Sequence, residues 1–287
     1  MLDAIPSRTA IATAFIRAVH ERFDDPPLIL NDDVAYRLLP TYLRRYIRSR
    51  ALIPPALTRA FRLRDPAGLA MRAQIVVRAR YAEDCLAQAR GDGATRYIVL
   101  GAGLDTFALR QTHPAIDVIE IDHPATQRWK QRLLQQRGLT VPTELHFLAV
   151  DFEDTSLEEV WMASDKPDFI SWLGTTYYLS REGLQSTLRA LAELTAPGSQ
   201  LVCDYWCERP GDTFNPLLLG TRIAVASQGE PMRSFFKPGE IEELAVAAGW
   251  SVLENVSPDA QNKRFLAQRK DGLRVPSFAY LLRLRKL

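Results

Sequence analysis

The stretch Tyr97–Arg110, YIVLGAGLDTFALR, runs from four apolar residues through a glycine pair into a helical pattern. A short apolar run ending in glycine predicts a buried strand over Tyr97–Leu100. Gly101, Ala102 and Gly103 then form a turn whose backbone can approach a ligand without a Cβ clash. The helix that follows offers unpaired N–H groups at its start. A glycine pair after a strand also serves plain packing of turn against helix, so its neighbours must decide.

Toward the C-terminus the texture alternates. Strands are predicted over Asp117–Ile121, Glu144–Val150, Asp168–Trp172, Gln200–Trp206 and Trp250–Glu254, with a closing strand over Ser277–Leu284. Between them lie a helix opened by His123-Pro124, with proline in a permitted first-turn position, and one preceded by the capping-box pattern Thr155-x-x-Glu158. Ser180 caps a third helix carrying Leu184, Leu188, Leu191 and Leu194 on one face, and Lys237–Glu240 starts a fourth that ends at Gly249. Strands separated by helices imply right-handed crossovers and a mostly parallel sheet covered on both faces. Toward the N-terminus, Ser7 to Ala89 is helical and broken at Asp25-Pro26-Pro27 and Ile53-Pro54-Pro55, and Gly68–Ala89 forms one long helix. The fold class is therefore α/β, Rossmann-like and doubly wound. Residues 1–93 form a helical N-terminal lobe capping the site, and residues 94–287 a ligand-binding domain with a lid insertion, 207–236, before the sixth strand.

Composition narrows the class. The chain has 287 residues, and 47% of them are hydrophobic and 24% charged, as in an ordinary globular protein. No apolar run approaches the ~18 residues of a membrane span, and the N-terminus lacks a secretory pattern. A cytoplasmic protein is expected. Cys85, Cys203 and Cys207 suit core packing, and the four histidines show no metal-ligand spacing, so no metal is expected. The net charge of +2 hides an asymmetry: between Tyr36 and Tyr81 eleven arginines face only Asp65. Such a block is either a solvated helical face or an attractor of anions.

In open parallel sheets, ligands sit beyond the carboxyl ends of the strands. Three such ends are informative. The first is the glycine turn. The second is Glu120-Ile-Asp122, where an acid about twenty residues after the glycines can hold both hydroxyls of a ribose. The third is Asp151-Phe152, which can accept from an adenine amino group and pack on its ring. A dinucleotide site needs a third glycine at the position that Thr106 occupies. Its absence counts against a pyrophosphate and for a smaller, nearly neutral nucleoside cofactor.

These residues resemble the leucine carboxyl methyltransferase group of class I S-adenosylmethionine-dependent methyltransferases, with its bacterial polyketide O-methyltransferase branch. The likeness covers roughly Ser7 to Leu284. It is carried by Ile98–Thr106 (IVLGAGLDT), by Arg78-Ala-Arg-Tyr81 with Glu83-Asp84, and by Glu120–Pro124. Val150–Phe152, Tyr178-Leu179, and Pro197-Gly198 before Val202–Tyr205 add to it. The resemblance implies S-adenosyl-L-methionine as cofactor. Arg78 would reach its methionine carboxylate, a task suited to a guanidinium fork. Gly101, Ala102 and Gly103 would line its methionine portion, Asp122 would hold its ribose, and Asp151 with Phe152 its adenine. Arg8 resembles a basic position that closes over the site, and Tyr177, Tyr178 and Tyr205, near strand ends, are candidates for the acceptor pocket.

Two departures stand out. Phe107 replaces an arginine common in bacterial relatives. Leu173, in Trp172-Leu173-Gly174, replaces a glutamate that would face the cofactor's amino group; losing such a charge-assisted bond costs about 1.5–3 kcal/mol.

The expected reaction is O-methylation of a carboxylate on a small molecule or natural-product intermediate. A carboxylate is already deprotonated at neutral pH, and no compelling catalytic base is visible. The arginine-rich lobe suits an anionic or carboxylic acid acceptor, or one borne on an acidic carrier protein; neither membrane nor nucleic acid is the expected partner. Hydroxyl O-methylation and a degenerate fold acting as a binding protein remain the alternatives.

Overall fold

The computed structural model describes residues 8–53, 65–112, 115–150, 157–161, 163–208, 215–226, 232–237 and 239–287. Four helices lead the chain: α1 (Arg8–Phe23), α2 (Asp33–Leu38), α3 (Thr41–Arg50) and the long α4 (Pro66–Gly91). Asp32 and Asp65 start α2 and α4 by accepting the backbone N–H groups of Ala35 and Gly68, as N-cap carboxylates do.

Seven strands follow: β1 (Arg96–Leu100), β2 (Asp117–Asp122), β3 (Leu145–Ala149), β4 (Asp168–Trp172), β5 (Gln200–Trp206), β6 (Trp250–Val256) and β7 (Ala279–Lys286). They form one sheet in the order β3-β2-β1-β4-β5-β7-β6. β7 runs antiparallel between β5 and β6, and the remaining pairings are parallel. Each predicted strand is present within about two residues of its expected ends. Interspersed are α5 (Phe107–Arg110), α6 (Pro124–Gln136), α7 (Leu157–Val160), α8 (Arg181–Leu194), α9 (Pro216–Ala226), α10 (Glu240–Ala247) and α11 (Pro258–Gln261). Ser180 caps α8 through the N–H of Gly183. Thr155, the proposed cap of α7, lies outside the described residues, as does much of the insertion around α9. No helix of the described residues is long and apolar enough to cross a membrane.

Every residue of β5 is buried, as in a strand covered on both faces. Alternation splits it. Val202 and Trp206 join Val76, Val77 and Tyr81 of α4 in one core. Leu201, Cys203 and Tyr205 join Leu184, Leu188 and Leu191 of α8 in the other. A third cluster packs Ala14, Ala18, Val34 and Leu38 onto Leu104, Leu133 and Leu134. The leading helices thus rest on the glycine turn and on α6. All three cysteines are buried.

The order of the strands reverses direction between β1 and β4, the neighbours at the centre. At such a switch point the connections leave on opposite faces and open a crevice at the carboxyl ends.

Candidate functional site

A cavity of about 510 Å³ occupies that crevice, within the ~300–1,000 Å³ range of small-molecule sites. Its floor is the turn after β1, its side the ends of β2 and β4. Its roof comes from α1 (Thr9, Thr13, Ile16, Arg17) and α4 (Met71, Ile75, Arg78, Ala79). The α4 set recurs at i, i+4, i+7 and i+8, and the α1 set, which also includes Ala10 and Ala12, falls on one side of its helix, so each helix turns a single face inward.

The glycines are required by geometry. Gly101 and Gly103 have φ of 65° and 51°, a region costly for residues with a Cβ. A Cβ on Gly101 would sit 2.7 Å from Thr175 Cγ2, and one on Gly174, across the crevice, 2.7 Å from Arg78 Nη2. A Cβ at either position would therefore collide with a side chain that borders the cavity.

Asp122 ends β2 and faces the cavity. One carboxylate oxygen accepts the N–H of Gly103 and the other that of His123 at 2.6 Å. Burial raises the carboxyl's pKa, and these two bonds pull it back toward the ionised form. Their fixed orientation leaves one lone pair on each oxygen for a pair of hydroxyls.

Arg78 is buried beside the same space. Its Nη1 donates to Asp204 at 2.8 Å and lies 3.2 Å from the Tyr177 hydroxyl. Burial favours the neutral guanidinium, but Asp204 and Tyr177 outweigh it and hold the charge. Asp204 in turn accepts the N–H of Gly174 at 2.6 Å. One buried carboxylate thus fixes both the guanidinium and the turn after β4.

Behind the glycine turn lies a second set of charges. Lys130 reaches Glu120 at 2.5 Å and the Asp105 carbonyl at 2.6 Å. Burial pushes the Glu120 carboxyl up to about 7, with Lys130 acting in the opposite sense. Arg17 bonds the Leu104 carbonyl and lies 3.2 Å from Asp32 and 3.8 Å from Asp105.

Thr106, where a dinucleotide fold needs glycine, is fully buried, and its hydroxyl donates to Asp32 at 2.8 Å. The residue that argued against a pyrophosphate ties the leading helices to the turn. Phe107 meets Tyr97 edge to face, with centroids 5.0 Å apart. The guanidinium missing at that position is present one turn later. Arg110 donates to Thr106 Oγ1, to the Asn31 carbonyl and to Glu83.

Of the expected site residues, Arg78, Gly101, Ala102, Gly103, Asp122 and Tyr178 all line the cavity, together with Leu173. Asp151 and Phe152 lie outside the described residues. Two expectations are corrected. Tyr205 points to the opposite face of the sheet, where its hydroxyl bonds Asn255 at 2.9 Å and its ring packs on Phe236 and Tyr280; strand alternation gives the cavity face to Asp204 and Trp206. Arg8 is the exposed first residue of α1 and lies outside the lining, whose basic residue from this helix is Arg17. Asp204 was assigned no role from sequence. An acid inside the otherwise apolar strand Gln200–Trp206 was the available signal, because a buried charge needs a partner.

The arginine block divides. Arg72, Arg78 and Arg80 pair with Asp24, Asp204 and Asp84, Arg45, Arg48 and Arg50 are exposed on α3, and Arg59, Arg62 and Arg64 lie outside the described residues.

Known proteins share this plan. The sequence profile described as "Leucine carboxyl methyltransferase" matches residues 10–192. The chain is 35% identical over 294 residues to the "Putative S-adenosyl-L-methionine-dependent methyltransferase YktD" of Bacillus subtilis strain 168, covering 93% of each chain. It is 31% identical over 201 residues to a protein of like description from a Parafrankia species, covering 69% of this chain and 62% of that one. Among solved structures, a DUF574 family protein from Streptomyces avermitilis superposes with a TM-score of 0.56 at 14% identity, over 100% of both chains. That likeness concerns the fold alone. The profile spans Arg78, the glycine turn and Asp122 together, and the chain belongs to the leucine carboxyl methyltransferase family.

Proposed function

We propose that this protein is an S-adenosyl-L-methionine-dependent O-methyltransferase that esterifies a carboxylate on a small molecule. The observation that carries this reading is the convergence of Arg78, the Gly101–Gly103 cradle and Asp122 on one cavity. They match the cofactor's three polar parts: a carboxylate for Arg78, the methionine chain for the glycines and a ribose for Asp122. The residues present fit the group, since a Cβ at Gly101 would strike Thr175 beside the cavity and the Asp122 oxygens keep lone pairs for two hydroxyls. When bound, the cofactor supplies an activated methyl on a sulfonium.

The chain's own residues then have to orient and exclude water. Arg78 keeps its charge because Asp204 and Tyr177 hold it, so it can take a carboxylate without a change of protonation. The α1 roof covers the reacting space, and alignment within such an enclosure supplies most of the rate gain in a displacement of this kind. No histidine is among the lining residues described. A carboxylate acceptor, ionised at neutral pH, requires no base.

Calorimetry with S-adenosylhomocysteine tests the cofactor assignment. Saturable binding is expected, with marked weakening in Asp122→Ala. No heat at millimolar ligand would sink the proposal. Mass spectrometry of carboxylic acids incubated with enzyme and cofactor then checks for methyl esters.

A further inference from the structure

The cavity extends past the cofactor groups toward the insertion, where Met71, Ile75, Trp206, Thr221, Met232 and Arg233 complete its wall. Two features of this half are unaccounted for by the cofactor. The first is Trp206. It is 1% exposed, and its indole Nε1–H has no acceptor among the described residues. A buried donor left unpaired costs about 1–3 kcal/mol, and such orphans in a native protein call for a ligand, water or strain.

The second is charge. Arg17, Arg78 and Arg233 are the cations of the described lining. Arg17 faces Asp32 and Asp105, and Arg78 faces Asp204. Among the described residues no carboxylate lies within ion-pair distance of Arg233. Among the described residues, matching the internal pairs leaves one positive charge, that of Arg233, in this half of the cavity.

Tyr177 brings both features to one place. Its hydroxyl contacts Arg78, its ring lies 5.1 Å from that of Trp206, and its carbonyl accepts the backbone N–H groups of Arg233 at 2.7 Å and Ser234 at 3.2 Å. Ser234 Oγ also bonds the Leu179 carbonyl. The chain around Arg233 is therefore stitched to the turn after β4, one aromatic ring away from the guanidinium assigned to the cofactor.

We infer that Arg233 and the Trp206 indole N–H anchor the carboxylate of the methyl acceptor, with Met71, Ile75 and Met232 holding its apolar body. This rests on the methyl-transfer reading above. It makes these two residues the determinants that separate an acid from neutral molecules of the same shape. In the transfer, an electron pair of the anchored carboxylate oxygen forms the new O–CH₃ bond while the methyl–sulfur bond breaks and its electrons return to sulfur. No proton moves. The ester is neutral, so Arg233 loses its counter-charge when the reaction is complete, and the anchor favours substrate over product.

The test uses the full chain saturated with S-adenosylhomocysteine, titrated with octanoate and, separately, octanamide. Wild type is expected to bind the acid about tenfold more tightly than the amide. Arg233→Ala should abolish that preference by weakening octanoate alone. Trp206→Phe, which keeps the aromatic packing and removes the donor, should weaken both ligands about fivefold, because each offers an acceptor oxygen. S-adenosylhomocysteine affinity should stay unchanged in both variants. Equal binding of acid and amide by wild type, undetectable octanoate binding, or an Arg233→Ala protein that keeps the preference would overturn the inference. Failure of wild type to bind S-adenosylhomocysteine would instead overturn the methyltransferase reading. Arg233 is exposed at the cavity wall, so its truncation leaves the core intact and the test does not depend on the tryptophan variant folding.

Discussion

Arg72 and Arg78 stand six residues apart on α4, and each meets a buried aspartate, at 2.6 Å and 2.8 Å. Their surroundings differ. Asp24, the partner of Arg72, is also bonded by His20 Nδ1 at 2.7 Å, while His20 Nε2 accepts the N–H of Ile29 at 3.1 Å. A nitrogen that accepts carries no proton, so Nδ1 is the donor to Asp24. That cluster lies inside the helical layer, and none of its described members lines the cavity. The Arg78 cluster has the same chemistry but an open side: Arg78 and Tyr177 both border the cavity. Buried charge alone does not mark a functional site in this protein. Buried charge beside shaped empty space does.

The strongest way to break the comparison is to remove both acids. Asp24→Ala and Asp204→Ala should each lose about 3–5 kcal/mol of unfolding free energy in urea, the cost of stranding a buried guanidinium. Only Asp204→Ala should weaken S-adenosylhomocysteine, by about tenfold or more. If Asp24→Ala loses affinity equally while still folded, the two clusters are not functionally distinct.

The Glu120–Lys130 pair adds a third case, and its signature is pH. The folded carboxyl titrates near 7, above the ~4.3 of an unfolded glutamate. The folded state therefore holds this proton more tightly. Its contribution is fully present below about pH 4 and is lost as pH rises to 7, on the order of 3 kcal/mol across that window. Glu120→Gln should flatten the slope in urea denaturation series at pH 5 and 7.5. An unchanged slope would assign the dependence elsewhere.

Arg78→Lys keeps the charge and loses the fork. It should cost about 2 kcal/mol of S-adenosylhomocysteine binding, read by calorimetry, whereas Arg72→Lys should leave binding alone. The smallest effect is expected from Tyr205→Phe. Removing its bond to Asn255 should lower stability by about 1 kcal/mol, and ligand affinity on the far side of the sheet should not move.

Sequence reasoning went furthest where physics is local. β1 and its glycines, Asp122 at a strand end and Ser180 at a helix start are each dictated by a few neighbouring residues. Tyr205 failed because nearness to a strand end says nothing about which face a side chain takes, and one residue of register decides it. Asp204 and Arg17 depend on contacts between distant segments, which spacing along the chain does not encode. Ser257-Pro258 did carry a readable helix start, since Ser257 caps α11 through the N–H of Ala260.

Thr106 and Asp32 are 74 residues apart in sequence and share one buried hydrogen bond. They form a seam between two stretches of chain that a breeder of chimaeras would want to exchange as blocks. A hybrid taking its leading helices from one relative and its glycine turn from another inherits half of this joint from each parent. Hybrids that keep an acceptor at position 32 with a donor at position 106 should assemble the roof over the crevice. Mismatched hybrids should express with the sheet formed and the roof unlatched.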